Sequence, residues 1–244
     1  LSSYLVDITA HILTVQDPET GNALVDMIAP IAGSKGTGMW TVQEALALGV
    51  PLPTIAQAVF ARDLSAKSDE RTAAKERYGC EHAPFTGSDR AAFLEAIRQA
   101  LYASKICSYA QGFALLKTAS ERYDWNLDLG GIALLFRGGC IIRAAFLERI
   151  AEAYRAPQPP ANLLLDDYFA GKLAAYQPAW RQVVTTAAAS GVAAPAFSAS
   201  LAYFDGYRDA EGPMNLLQAQ RDCFGAHTYR RTDKEGSFHF DWLG

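Results

Sequence analysis

Apolar residues recur along this chain at helical spacing almost from end to end. Leu1, Leu5, Ile8 and Ile12 open the pattern with no initiator Met before them, so the chain is expected to begin inside a longer helix. Ser88-Asp89 reads as an N-cap, and Phe93, Ile97, Leu101, Ile106, Phe113 and Leu116 predict a long helix over Arg90 to Tyr123. Asp128 precedes another apolar run, Ile132 to Ile150. Gly138 and Gly139 lie inside it, which predicts two elements in close contact there. A proline-rich break at Arg155 to Pro160 separates two helical blocks. Further helices are expected at Leu173 to Ser190, Ala196 to Tyr207 and Asn215 to Phe224. Alternating strand patterns are nearly absent, so the expected fold class is all-α.

A faint internal repeat suggests a duplicated multi-helix unit. Trp40, Gly49-Val50, Pro53 and Phe60 are echoed by Trp180, Gly191-Val192, Pro195 and Tyr203-Phe204. Each copy reads as a helix, a Gly-Val break and a proline-started helix, because Gly suits the residue after a helix and Pro tolerates its first turn. The stretch from Gly225 to Gly244 is polar, punctuated by glycine and dotted with Tyr229, Phe238, Phe240 and Trp242. Such a tail is not expected to build a core of its own; its aromatics need a surface on this subunit or a partner. The expected division is residues 1–211 as the helical domain and 212–244 as the last helix and extended C-terminal tail.

Half of the 244 residues are hydrophobic, enough for a substantial core. The net charge of -4 argues against nucleic acid or an anionic membrane surface as partner, so any anion site must be local. No apolar run is long enough to span a bilayer. Four scattered cysteines, Cys80, Cys107, Cys140 and Cys223, suggest reduced thiols and a cytoplasmic setting. No metal site is expected.

Three blocks could carry chemistry. In Gly33-Ser34-Lys35-Gly36-Thr37-Gly38-Met39-Trp40, a glycine-rich turn precedes a helical segment expected from Thr41 to Leu48. Glycines let backbone approach a ligand, a helix start offers unpaired N–H groups, Lys35 adds charge and Thr37 a hydroxyl. This is either a phosphate cradle or an ordinary connection between helices; it is not a Walker A loop. Arg62, in Ala58-Val59-Phe60-Ala61-Arg62, either grips an anion or pairs at the surface with Asp63, Asp69 or Glu70. Arg221 and His227 flank a helix end marked by Gly225: a cationic pair for an anion, or a capped helix with a solvent-facing Arg and a packing His.

Several blocks together resemble the 6-phosphogluconate dehydrogenase family: Gly33 to Trp40, Ala58 to Arg62, Gly130-Gly131-Ile132-Ala133 with Arg137 to Arg143, Asn162 to Asp166, and Gln218 to Tyr229. The resemblance runs the length of the chain. It implies oxidation of 6-phosphogluconate with NADP and loss of carbon dioxide to give ribulose 5-phosphate, without a metal. The family's lysine base and glutamate acid have no match here, nor does its nucleotide-binding fold, which would hold most of the NADP. The resemblance implies that Lys35, Thr37 and Arg62 contact substrate, and that Arg221 and His227 are contributed by the other subunit of a homodimer whose tails are exchanged. Met39 departs from the basic residue common at its position, and Cys223 from an aromatic, the latter read as a packing change. Two other readings are a helical dimerisation module with no formed ligand site and a different hydroxyacid dehydrogenase. The latter leaves the Arg221–His227 block unexplained.

Overall fold

The computed structural model describes residues 2–84, 87 and 89–244. Leu1 and Ser88, each part of an expectation above, lie outside the described residues. Among the described residues ten α-helices follow one another: α1 Tyr4–Ile12, α2 Thr37–Leu48, α3 Pro53–Ser65, α4 Ser68–Tyr78, α5 Arg90–Arg122, α6 Leu129–Leu135, α7 Leu147–Arg155, α8 Asp167–Ala189, α9 Pro195–Arg208 and α10 Met214–Gly225. Among the described residues there is no strand, only three isolated bridges, so the chain is all-α as its pattern predicts. It divides into two compact units, Leu1–Tyr203 and Phe204–Gly244; the sequence pattern put the break at 211/212.

The 33-residue α5 runs through the core of the first unit. Its N-cap is Asp89, whose carboxylate accepts the Ala92 N–H at 2.8 Å. Ala96, Ala100, Ala103, Cys107 and Ala110 form one buried stripe at helical spacing. Helix α8 packs along α5, with Tyr102 edge-on to Tyr176 at 5.7 Å between ring centres. From α8 come Phe169, Leu173, Trp180 and Val183, all buried.

Gln111 is a fully buried amide on α5. Its Oε1 accepts the Thr54 N–H at 3.0 Å and its Nε2 donates to Thr54 Oγ1 at 2.9 Å. Pro53 has no N–H, so Thr54 carries the first open donor of α3, and α5 supplies its partner.

The repeated helix ends are real. Gly49 and Gly191 both take left-handed φ, +69° and +71°. Val50 N–H returns to Ala45 C=O at 2.8 Å, and Val192 N–H to Ala187 C=O at 2.9 Å. Pro53 and Pro195 then open α3 and α9. The tryptophans of the repeat are not equivalent. Trp180 is buried and donates to Phe197 C=O at 3.3 Å, whereas Trp40 is exposed.

The glycine expectation inside the run Ile132 to Ile150 needs correcting. That run is broken: α6 stops at Leu135 and α7 starts at Leu147. A Cβ on Gly138 or Gly139 would meet open space, and Gly139 turns the chain at φ +68°. Close packing occurs at Gly130, where a Cβ would lie 2.9 Å from Arg155 Cγ and 3.2 Å from the Ala151 carbonyl oxygen. Gly130 faces α7, while the Gly138-Gly139 pair faces solvent.

Among the described residues of the second unit no apolar side chain is buried, as the composition of its tail predicts. Its centre is polar: the fully buried Asp222 on α10. It accepts from Thr228 N at 3.0 Å, His239 Nδ1 at 2.9 Å, Phe240 N at 3.1 Å and Trp242 Nε1 at 2.8 Å. Tyr229 and Phe238 bridge through two backbone hydrogen bonds of 2.8 Å. Composition did not reveal this because the organising group is one carboxylate, not an apolar cluster. Phe240, Trp242 and Leu243 remain exposed at 56, 43 and 84%.

Candidate functional site

In the first unit the glycine-rich turn and the end of α3 are joined. Gly36 takes φ +90°, which turns the chain so that Trp40 N–H already reaches Gly36 C=O at 3.0 Å. Helix α2 therefore begins at Thr37, a full turn before the expected Thr41. Gly36 has no side chain to cap the helix, so the first N–H groups of α2 have no side-chain partner. Their positive end, with Thr37 in the first turn and Lys35 just before it, suits an anion.

Ser65 fixes this turn against α3. Ala32 N–H donates to Ser65 Oγ at 3.0 Å, and that hydroxyl donates to Arg62 C=O at 2.6 Å. Arg71, from α4, donates through Nη1 to Pro30 C=O and Ser65 C=O, each at 3.2 Å. A Cβ on Gly38 would stand 3.0 Å from Val59 Cγ2, so the first turn of α2 lies against α3 one turn before Arg62. The segment carrying Lys35 and Thr37 and the turn carrying Arg62 are thus neighbours.

Lys35, Thr37 and Arg62 are all exposed. Among the described residues neither the Lys35 ammonium nor the Arg62 guanidinium has an ion-pair partner. The surface pairing considered for Arg62 does not form: Glu70 faces Lys67 at 3.6 Å, and Asp69 accepts from Ser68 at 3.3 Å. Ser65 and Arg71 carried no local signal in the sequence. Each has one partner distant in the chain, the Ala32 N–H for Ser65 and the Pro30 C=O for Arg71.

In the second unit, α10 ends at Gly225 and Ala226 takes the left-handed cap at φ +49°. Glycine is needed one residue earlier for another reason. A Cβ on Gly225 would lie 2.8 Å from His227 Nε2, so the imidazole rests against the bare helix end. Arg221 Nη1 donates to Gln218 Oε1 at 3.2 Å, and Gln218 Nε2 donates to Thr228 C=O at 2.5 Å. Arg221 and His227 are both exposed. Burial pushes the Asp222 carboxyl up, but hydrogen bonds from Trp242, His239 and Phe240 outweigh it and bring it down to about 2. The Cys223 side chain is exposed.

Among the described residues no cluster of His, Cys, Asp or Glu could hold a metal, and no helix is long and apolar enough to cross a membrane. Nor does any strand–glycine-turn–helix unit occur among them, so the described residues do not fit NADP as a dinucleotide cradle.

An all-helical domain with exposed basic side chains at the start of α2, the end of α3 and the end of α10 is the class that fold and geometry define. Residues 1–242 match the family model described as "6-phosphogluconate dehydrogenase, C-terminal domain". The chain belongs to that family. It is 57% identical over 244 residues to the NADP(+)-dependent, decarboxylating 6-phosphogluconate dehydrogenase of Bacillus subtilis, covering 100% of this chain and 52% of that protein. It is 54% identical over 243 residues to the decarboxylating enzyme of Escherichia coli, again covering 52% of it. The solved structure of Plasmodium falciparum 6-phosphogluconate dehydrogenase, studied in its apo form and with NADP+ and 6-phosphogluconate, matches with a TM-score of 0.94 at 47% identity. That match covers 98% of this chain and 52% of the other. The chain spans about half the length of the curated relatives it matches.

Proposed function

We propose that this chain is the substrate-binding and dimer-forming part of an NADP-dependent, decarboxylating 6-phosphogluconate dehydrogenase, active in the cytoplasm. Lys35, Thr37 and Arg62 receive the phosphorylated sugar acid on one subunit. Arg221 and His227 reach it from the tail of the other. The base, the acid and most of the NADP site lie outside these 244 residues, so the chain by itself turns over nothing.

The observation that supports this most is the hydrogen-bonded path from Ala32 through Ser65 to Arg62. It seats a helix start, an ammonium and a guanidinium in one neighbourhood, with no carboxylate of the described residues paired to either cation. A planar guanidinium and open backbone N–H groups are what a phosphate takes.

The test is titration of 6-phosphogluconate into the full-length protein that carries this chain, compared with Arg62→Ala and Lys35→Ala. A hydrogen bond to a charged group contributes about 1.5–3 kcal/mol. Each variant is therefore expected to weaken binding by about one to two decades. Arg62→Lys should recover little, since the two-pronged geometry is lost. Unchanged affinity in both alanine variants would favour a helical module that only dimerises. Measurable NADPH formation by the 244 residues alone would overturn the division of labour.

A further inference from the structure

Arg221 sits on α10 and His227 beyond its end, so their spacing is not set by helix geometry alone. Two side chains one turn apart on α10 set it. Gln218 accepts from Arg221 through Oε1 and donates to Thr228 C=O through Nε2, at 3.2 and 2.5 Å. Asp222 accepts the Thr228 N–H at 3.0 Å. Both backbone groups of Thr228 are thereby held. Thr228 at φ +59° and Ala226 at φ +49° are left-handed without being glycine, a conformation that persists only where surroundings impose it. His227 stands between these two residues.

Each side chain has the chemistry its partners require. Every partner of Asp222 donates, so the position needs an acceptor on both oxygens. At Gln218 one atom accepts from a guanidinium and the other donates to a carbonyl, which a carboxamide provides and a carboxylate does not. A glutamate would turn a carboxylate oxygen toward the Thr228 carbonyl. A methionine would keep the bulk and lose both bonds.

We infer that Gln218 and Asp222 are positioning residues for the Arg221–His227 pair. They hold a guanidinium and an imidazole at one separation and direction, so that the pair takes the phosphorylated sugar acid in a single orientation. The ligand rests on the function proposed above; what fixes the geometry goes beyond it.

Steady-state kinetics of the full-length protein with 6-phosphogluconate and NADP tests this on Q218M, D222N, R221A, H227A and the double variant Q218M/R221A. The expected KM for the sugar acid rises about tenfold or more in R221A and H227A, and roughly three- to tenfold in Q218M and D222N. In Q218M, kcat and the KM for NADP stay within about twofold, the split expected when binding alone is lost. The double variant loses less than the two single effects combined, because the Arg221 part of the Q218M effect vanishes with the guanidinium and only the His227 part remains. If D222N does not fold, Q218M and the double variant decide. An unchanged KM in R221A and H227A removes the ligand assignment and this inference with it. An effect in R221A with none in Q218M, or additive effects in the double variant, sinks the inference and leaves the function standing. A parallel fall in kcat, NADP affinity and thermal stability in Q218M means a structural role only, and also overturns it.

Discussion

Ser65 accepts the backbone N–H of Ala32 at 3.0 Å, joining the last turn of α3 to the loop that leads into Lys35. The same hydroxyl donates to Arg62 C=O at 2.6 Å, so one side chain touches both halves of the candidate cradle. In Ser65→Ala the loop should loosen while the core stays intact. The exposed bond contributes about 0.5–1.5 kcal/mol, so global stability should change little. Faster amide exchange at Ala32, with a several-fold loss of 6-phosphogluconate affinity in the full-length protein, is the expected result. Exchange at Ala32 identical to wild type would exclude the clamp.

Gln111 makes a different prediction. Replacing it by Leu leaves the Thr54 N–H without its partner in a buried position. An unsatisfied buried donor costs about 1–3 kcal/mol. For a chain of this size that corresponds to roughly 2–4 °C of Tm per kcal/mol. Calorimetric melting of Gln111→Leu checks it, and an unchanged Tm would refute the role of the amide.

Acid should act on the tail through Asp222. Its carboxyl titrates at about 2 in the folded tail, below its ordinary value of 3.8. As pH falls the unfolded tail binds that proton first. The stabilisation is complete above about pH 4 and is lost as pH drops toward 2. With fluorotryptophan incorporated, the fluorine resonance of Trp242 should shift across that window. In Asp222→Asn it should differ already at pH 7 and then stay fixed. A Trp242 signal that is flat in the wild-type chain from pH 4 to 2 contradicts the assignment.

The thiols should separate by burial. All four cysteines are free; Cys80 and Cys223 are exposed, Cys140 is half-buried and Cys107 is buried. Burial also pushes the Cys107 thiol up to about 12, which leaves almost no thiolate near neutrality. An aromatic disulfide reagent at pH 8 should therefore label Cys80 and Cys223 first, Cys140 more slowly, and Cys107 only on unfolding. Mass spectrometry of timed digests reads the order, and early labelling of Cys107 would contradict its burial.

The long helices were legible because periodicity and caps agree. Arg90 to Tyr123 differs from α5 by one residue, and the paired Gly-Val-Pro ends recur with matching hydrogen bonds. The start of α2 was missed because a left-handed Gly36 and a flexible Gly36 look alike in sequence. The significance of Gly138 and Gly139 was misjudged, since a glycine in a turn and a glycine under a helix carry the same letter; Gly130 holds the close contact. Lys35, Thr37, Arg62, Arg221 and His227 stood out by charge, hydroxyl and position. The groups that hold them did not: Ser65, Arg71 and Gln218 act on backbone atoms that only the folded chain brings within reach.

The tail has two fixed points, the held backbone of Thr228 and the Tyr229–Phe238 bridge, and beyond the bridge its tip is exposed from Arg231 to Ser237. Protein engineering meets very different tolerances on the two sides. An epitope or fluorophore grafted between Thr232 and Glu235 rides outside the bridge and disturbs neither anchor. One extra residue between Asp222 and Thr228 throws the histidine out of register with the arginine beside it.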